Sequence, residues 1–149
     1  MTTSLRQRVL AYIAQHNVMT LATRSEDDHW AAAVFYVNQK FSFYFLSASH
    51  TRHAGHLRLN DRAAATLQED YDRWEAIQGV QMEGTVRLLS TPEREMAMRF
   101  YREKFTFLED ASTGIKEAFR MANWYCLTPT RLYFVDNSRG FGHRDEVPL

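Results

Sequence analysis

The sequence predicts a mainly β, α+β fold: a small antiparallel barrel of six to seven strands with helices at its margins. Three observations carry that expectation. Short β-prone segments, "VMTLATRS", "WAAAVFYV" and "FSFYFLS", follow one another with connections of hairpin length. A longer segment, "IQGVQMEGTVRLL", carries Gly79 and Gly84 where a strand can bulge and bend, as barrel closure requires. Helical periods fall at the start of the chain and between strands, and neither an internal repeat nor a low-complexity linker divides the 149 residues. That length suits a single domain, 1–149, with a real core.

Taken in order, residues 1–16 hold the first helix. Leu5, Val9, Tyr12 and Ile13 recur at the helical period between Ser4 and His16, Leu10 widens the stripe, and no breaker intervenes. The three β segments at 18–25, 30–37 and 41–47 are separated by "EDDH" and "NQK", turn chemistry that predicts an antiparallel meander. Thr51-Arg52-His53 then opens a short helix reaching Asn60, and Ala63 to Gln68 resumes a strand before the long one at 77–89. Thr91-Pro92-Glu93 has a hydroxyl at the cap, proline in the first turn and an acid at the positive helix end, so a helix runs from there to about Phe105. A weaker helical stretch covers Ile115 to Met121. "WYCLTP" and "RLYFVD" read as a last hairpin pair around Thr128-Pro129, and residues 137–149, "NSRGFGHRDEVPL", as a polar, glycine-marked tail outside the core.

Composition narrows the function classes. Lysine plus arginine and aspartate plus glutamate number 18 each, so no global field holds a nucleic acid, and any anion site is local. The aromatic run Phe35, Tyr36, Phe41, Phe43, Tyr44, Phe45 could stack bases, but without a basic excess core packing is the better reading. A single cysteine, Cys126, forms no internal disulfide and has no histidine and acid at a recognisable spacing, which makes it a buried structural thiol in a reducing compartment rather than a nucleophile. No stretch approaches the roughly 20 apolar residues of a membrane span, and the N-terminus lacks a continuous apolar signal core. The expectation is a soluble, cytoplasmic protein. His50, His53 and His56 are spaced by three, and on a helix their rings diverge too far to meet at one metal, so no metal site is expected.

One place concentrates binding chemistry. Where the third strand turns into a helix, unpaired backbone N–H groups, a partial positive charge, the Thr51 hydroxyl and the forked cation of Arg52 coincide, a combination suited to a phosphate monoester. The plainer alternative, Thr51 as helix cap and Arg52 as solvated surface charge, stays open on spacing alone.

These residues carry a resemblance. From about Asn17 to Asp136, the order of the three β segments, the Thr51-Arg52-His53 helix running to "LRLNDRAAATL", and "GVQMEGTVRLL" resemble the FMN-binding split β-barrel superfamily of pyridoxamine 5′-phosphate oxidase. The chain is most similar to its small, uncharacterised bacterial members, which share a Thr-Arg-His-Ala turn, a Gly-Val-Gln segment and an Asp-Asn…Gly-Phe-Gly tail. The resemblance implies a six- to seven-stranded antiparallel split β-barrel with peripheral helices, and FMN as cofactor. In the oxidase a Ser-Arg-Lys turn holds the FMN phosphate, and it falls on Thr51, Arg52 and His53. Ser47 matches the hydroxyl near the phosphate. Ala31 to Tyr36, among them Ala33, Val34, Phe35 and Tyr36, match the strand that lines the flavin ring. A strand glutamine of the family falls on Gln81, with Gln78 as the alternative. Members are typically homodimers with flavin at the interface, so Trp124, Asn137, Phe141 and Gly142 are candidates to reach the partner's flavin.

Departures shape the expected function. Histidine in place of lysine weakens the cation, and "RGFGHRDE" only loosely echoes the oxidase's substrate-binding arginine-histidine pair, so vitamin B6 oxidation is not expected. The resemblance implies an FMN-dependent oxidoreductase that takes electrons from a nicotinamide or other small-molecule donor, with no catalytic side chain assigned. The alternative is a split barrel that carries flavin without turnover, or one that binds haem through His50 or His53.

Overall fold

The computed structural model describes residues 2–149. Helix α1, Leu5–Gln15, starts at a reciprocal cap in which Ser4 and Gln7 bond each other's backbone N–H, and it buries Val9, Tyr12 and Ile13. Strands β1, Val18–Ser25, and β2, Asp28–Phe35, form a hairpin. Two short connections then give β3, Val37–Gln39, and β4, Ser42–Ser47. Helix α2, Arg52–Leu59, leads into β5, Arg62–Gln68, and β6, Gln78–Leu88. Helices α3, Thr91–Lys104, and α4, Thr113–Met121, precede β7, Asn123–Asp136, and β8, Arg144–Glu146.

All eight strands belong to one antiparallel sheet in the order β2-β1-β5-β6-β7-β4-β3, with β8 added to β7. The two ends of that order, β2 and β3, are consecutive in the chain and joined only by Tyr36, so the sheet must curl until its edges approach. This is the split-barrel fold that the strand pattern implies. The concave side holds one core, in which Met19, Leu21, Phe43, Phe45, Leu127 and Leu132 pack against Val9 and Ile13 of α1. The outer face of β4 and β7 carries a second core, where Tyr44, Trp124 and Cys126 meet Ala97, Met98 and Tyr101 of α3 and Phe119 of α4. Strand β7 is therefore buried on both faces over Trp124–Leu127, which explains its continuous apolar run. Cys126 lies in this second core, where burial pushes its thiol up. Among the described residues no helix is long and apolar enough to cross a membrane.

Four local expectations are corrected. The segment expected as one strand over 30–37 breaks at Tyr36, whose ring is 0% exposed and whose hydroxyl donates to the Ile13 carbonyl; β2 stops at Phe35 and β3 begins beyond it. Gly79 is not a bulge, because its pairing with Gln68 and Val135 is regular; a Cβ there would lie 2.8 Å from the Leu67 carbonyl oxygen, so close approach is what excludes a side chain. The bulge lies at Gly84, where pairing steps from Glu83 with Arg131 to Gly84 with Pro129 and leaves Thr130 as the extra residue. A Cβ on Gly84 would fall 2.1 Å from the Thr128 carbonyl oxygen.

The hairpin expected at Thr128-Pro129 does not exist, since β7 runs unbroken for 14 residues. Pro129 is tolerated because it stands at the bulge, between the part of β7 paired to β4 and the part paired to β8. The terminal segment is part of the fold rather than a tail: β8 pairs with Tyr133–Val135, and Val147, 2% exposed, enters the barrel core. Ser138, Arg139, Arg144 and Glu146 face outward, which is why composition alone reads the whole segment as loose.

Candidate functional site

The site begins where β4 ends. Thr51, in an extended conformation, caps α2 by accepting from the Ala54 N–H at 3.3 Å, while its own hydroxyl donates to the Ala48 carbonyl at 2.9 Å. The amides of Arg52 and His53, in the first turn, have no intrahelical acceptor and stand at the positive end of the helix. His53 turns inward, with Nε2 at 2.6 Å from Ser47 Oγ and 3.4 Å from Thr51 Oγ1. Burial, and then the neighbouring His56, lowers its pKa, so the imidazole is neutral at physiological pH. The third residue of the turn is thus no second cation; it is a post that ties the end of β4 to α2.

Arg52 points the other way, onto the β1–β2 hairpin. Its guanidinium lies over the Trp30 ring, 4.2 Å from the centroid, and grips Asp28 with two nitrogens: Nε donates to Oδ2 at 3.1 Å and Nη2 to Oδ1. Asp28 Oδ2 also lies 2.6 Å from His56 Nε2, and His56 Nδ1 lies 2.9 Å from Thr23 Oγ1 inside the barrel end. The Arg52 hydrogen bond, followed by that of His56, holds the Asp28 carboxyl down at about 2, and the same contact raises Arg52. Asp28 is the site residue that sequence reading missed, because "EDDH" looks like ordinary turn chemistry. The available signal was Arg52 itself, since a cation at a helix N-terminus calls for an acid nearby.

The remaining expected residues divide. Ala33 and Phe35 are exposed and Val34 half-buried on β2, which bonds only to β1 and leaves its other edge unpaired; Phe35 rests against Phe105 at 5.2 Å. Tyr36 and Trp124 are placed in the cores instead. Trp124, 1% exposed, is packed edge-to-face between Tyr101 and Phe119 in the second core. Gln81 faces outward from β6 and accepts from Arg144, whereas the Gln78 carbonyl is bound by the Tyr12 hydroxyl.

Asn137 is buried and staples the chain end to residues 74–77: Nδ2 donates to the Trp74 carbonyl, Oδ1 accepts from Gly142 N–H, and its own N–H reaches Ile77. Phe141, 85% exposed, makes a T-shaped contact with Trp74. Ser47 pairs with Asn123 at one end of β7 and Asn137 follows the other end, about 45 Å further on along the strand at about 3.3 Å per residue. Within one chain, Ser47, Thr51, Arg52 and His53 come together, and Asn137, Phe141 and Gly142 stand apart from them. Among the described residues no three His, Cys, Asp or Glu side chains converge as a metal site requires.

A family model described as pyridoxamine 5′-phosphate oxidase matches residues 5–136. The chain belongs to this family. Its similar relatives include a UPF0306 protein of Photorhabdus laumondii, 29% identical over 140 residues and covering 93% of this chain and 92% of that protein. The UPF0306 protein YhbP of Escherichia coli O157:H7 is 29% identical over 135 residues, covering 89% and 86%. Among solved structures, a heme binding protein from Mycobacterium smegmatis superposes with a TM-score of 0.78 at 21% identity, over 99% of this chain and 59% of that one. A FAD-binding protein from Mesorhizobium loti superposes with a TM-score of 0.66 at 13% identity, over 89% and 94%. These likenesses show the shared fold, carried by proteins that bind flavin and by proteins that bind haem.

Proposed function

We propose that the protein binds FMN as a homodimer and acts as a flavin-dependent oxidoreductase on a small-molecule electron donor. The observation that carries this reading is Arg52, an exposed guanidinium at the first position of α2 beside free amides and the Thr51 hydroxyl. A phosphate monoester can accept from the first-turn amides and from Arg52 at once, in place of the Asp28 carboxylate that Arg52 grips in the ligand-free chain. The chain fits the group. Thr51, Arg52 and the first-turn amides would hold the phosphate, Ser47 and His53 would fix the turn, and the exposed small residues Ala31 and Ala33, on an unpaired strand edge, leave backbone groups open to the flavin ring.

When bound, FMN supplies the redox chemistry, and the protein binds, orients and shields it. Phe35 at the end of β2 and the neighbouring Phe107, both exposed and aromatic, suit a surface that a second copy covers. In that arrangement Asn137, Phe141, Gly142 and Gln81 of one protomer would approach the flavin held by its partner. Both inward histidines are engaged, His53 through Nε2 with Ser47 and His56 through both nitrogens with Thr23 and Asp28, which favours flavin over haem at these positions and leaves the exposed His50 as the haem ligand that the haemin titration tests.

The absorption spectrum of the purified protein, followed by titration with FMN and with haemin, tests the ligand. A flavin spectrum and saturable FMN binding are expected; haemin binding without FMN binding would replace the reading. Sedimentation with and without FMN tests the dimer, and anaerobic titration of the FMN-loaded protein with NADH and NADPH tests turnover.

A further inference from the structure

Arg52 is not waiting empty-handed. The two nitrogens that a phosphate would use both point at Asp28, and Trp30 beneath the guanidinium fixes its plane. We propose that Asp28 is a built-in competitor for the phosphate: its carboxylate occupies the anion position on Arg52 in the ligand-free chain and sets how tightly, and how selectively, the site takes a phosphate monoester. This rests on the FMN reading of the same site and adds to it a residue that acts against binding.

Three features make the carboxylate exchangeable rather than structural. The side chains of Asp28 and Arg52 are about half exposed, 50% and 45%, and an exposed ion pair is worth little against competing anions. Asp28 has a second partner, His56, which is buried and anchored by Thr23, so the carboxylate keeps a hydrogen bond when Arg52 turns away from it. Arg52 keeps a resting place on Trp30 whichever anion it faces, because cation–π contact does not depend on the partner.

A dianionic phosphate with three acceptor oxygens displaces the monoanion by offering the helix amides more than Asp28 can reach. A simple carboxylate or a sugar hydroxyl does not. The pair therefore filters weak anions and leaves the site responsive to phosphate esters.

The test is calorimetric titration of FMN and riboflavin into wild type, Asp28→Asn and Asp28→Ser, with thermal melting as the check that each variant is folded. Asn keeps the shape but exchanges one acceptor oxygen for a donor amide, and Ser shortens the side chain. Removal of the competing charge should tighten FMN about fivefold, near the upper end of what an exposed pair withholds, in both variants. Riboflavin, which has no phosphate, should be unaffected. Acetate should weaken FMN binding to the variants, whose Arg52 is unprotected, more than binding to wild type. Wild type that prefers FMN to riboflavin, with variants unchanged, would overturn the competitor role and leave the FMN site standing. Variants that bind FMN where wild type does not would support it in its strongest form. Folded variants and wild type that all fail to prefer FMN would overturn both.

Discussion

Arg52 and Lys104 are both cations at the end of a helix, and the fold treats them in opposite ways. Arg52 is the first residue of α2, where the helix dipole disfavours a positive charge; Lys104 is the last of α3, where the dipole favours one. Arg52 is exposed, faces the carboxylate of Asp28, and is raised by it. Lys104 is half-buried, forms no ion pair among the described residues, and donates instead to the carbonyls of His16 and Tyr36 while lying over the Tyr36 and Phe105 rings. Burial lowers its pKa to about 8. Lys104 follows the local rule and ties three elements together: the end of α1, the Tyr36 kink and the end of α3. Arg52 breaks the local rule, and its partner is a half-exposed carboxylate that has a second partner in His56. A residue that violates local preference and is compensated by an exchangeable contact is where ligand binding is expected.

The comparison can be broken most forcefully at Lys104. Lys104→Ala leaves two backbone carbonyls without their donor and removes the stem from the aromatic rings, so denaturation should show a loss of about 1–2 kcal/mol. The ratio of FMN to riboflavin affinity should not move. A large change in that ratio would mean that Lys104 belongs to the binding site and the contrast is false.

The pH dependence of stability should separate the two positions by window rather than by sign, since stability rises with pH at both, on the acid limb for Asp28 and in the alkaline range for Lys104. Asp28 has a folded pKa of about 2, below the ordinary carboxylate value, so the pair's contribution is complete above about pH 4 and is lost as pH falls through about 2. Asp28→Asn should shallow that acid limb. For Lys104 the unfolded chain binds more protons between about pH 8 and the ordinary lysine value near 10.4, so stability contributed at this position rises with pH across that window. Lys104→Met, which also leaves the two carbonyls without their donor, should flatten the rise and cost no more at neutral pH than Lys104→Ala, a result that melting curves across the range will show. The smallest effect is expected at Phe141, which is 85% exposed and meets the Trp74 ring: Phe141→Ala should leave melting unchanged and weaken FMN binding in the dimer less than loss of Arg52 does.

Much of the barrel was legible because its strands obey a period of two, and the helices because their caps are local: Ser4, Thr51 and Ser112 each accept from their own first turn. What escaped was settled by distant contacts. Pro129 reads as a turn until β6 supplies Gly84 opposite it, and Val147 reads as a loose end until Leu132 binds its N–H. At the site, Ser47, Thr51, Arg52 and His53 were legible because they lie within seven residues of one another. Asp28 was not, since it comes from 24 residues upstream and is brought to Arg52 only by the packing of α2 on the β1–β2 hairpin. Tyr36 and Trp124 were misplaced because an aromatic in an alternating strand faces core or ligand according to a phase that the kink at Tyr36 and the second core determine.

The most direct test of the account is the affinity of FMN relative to riboflavin, measured by calorimetry for wild type and for Arg52→Ala. Wild type should prefer FMN, and Arg52→Ala should abolish most of that preference, by about tenfold, without altering riboflavin affinity or the melting temperature of the ligand-free protein. Equal affinities of wild type for the two ligands, or an Arg52→Ala protein that discriminates as well as wild type, would contradict the claim that the start of α2 is a phosphate site.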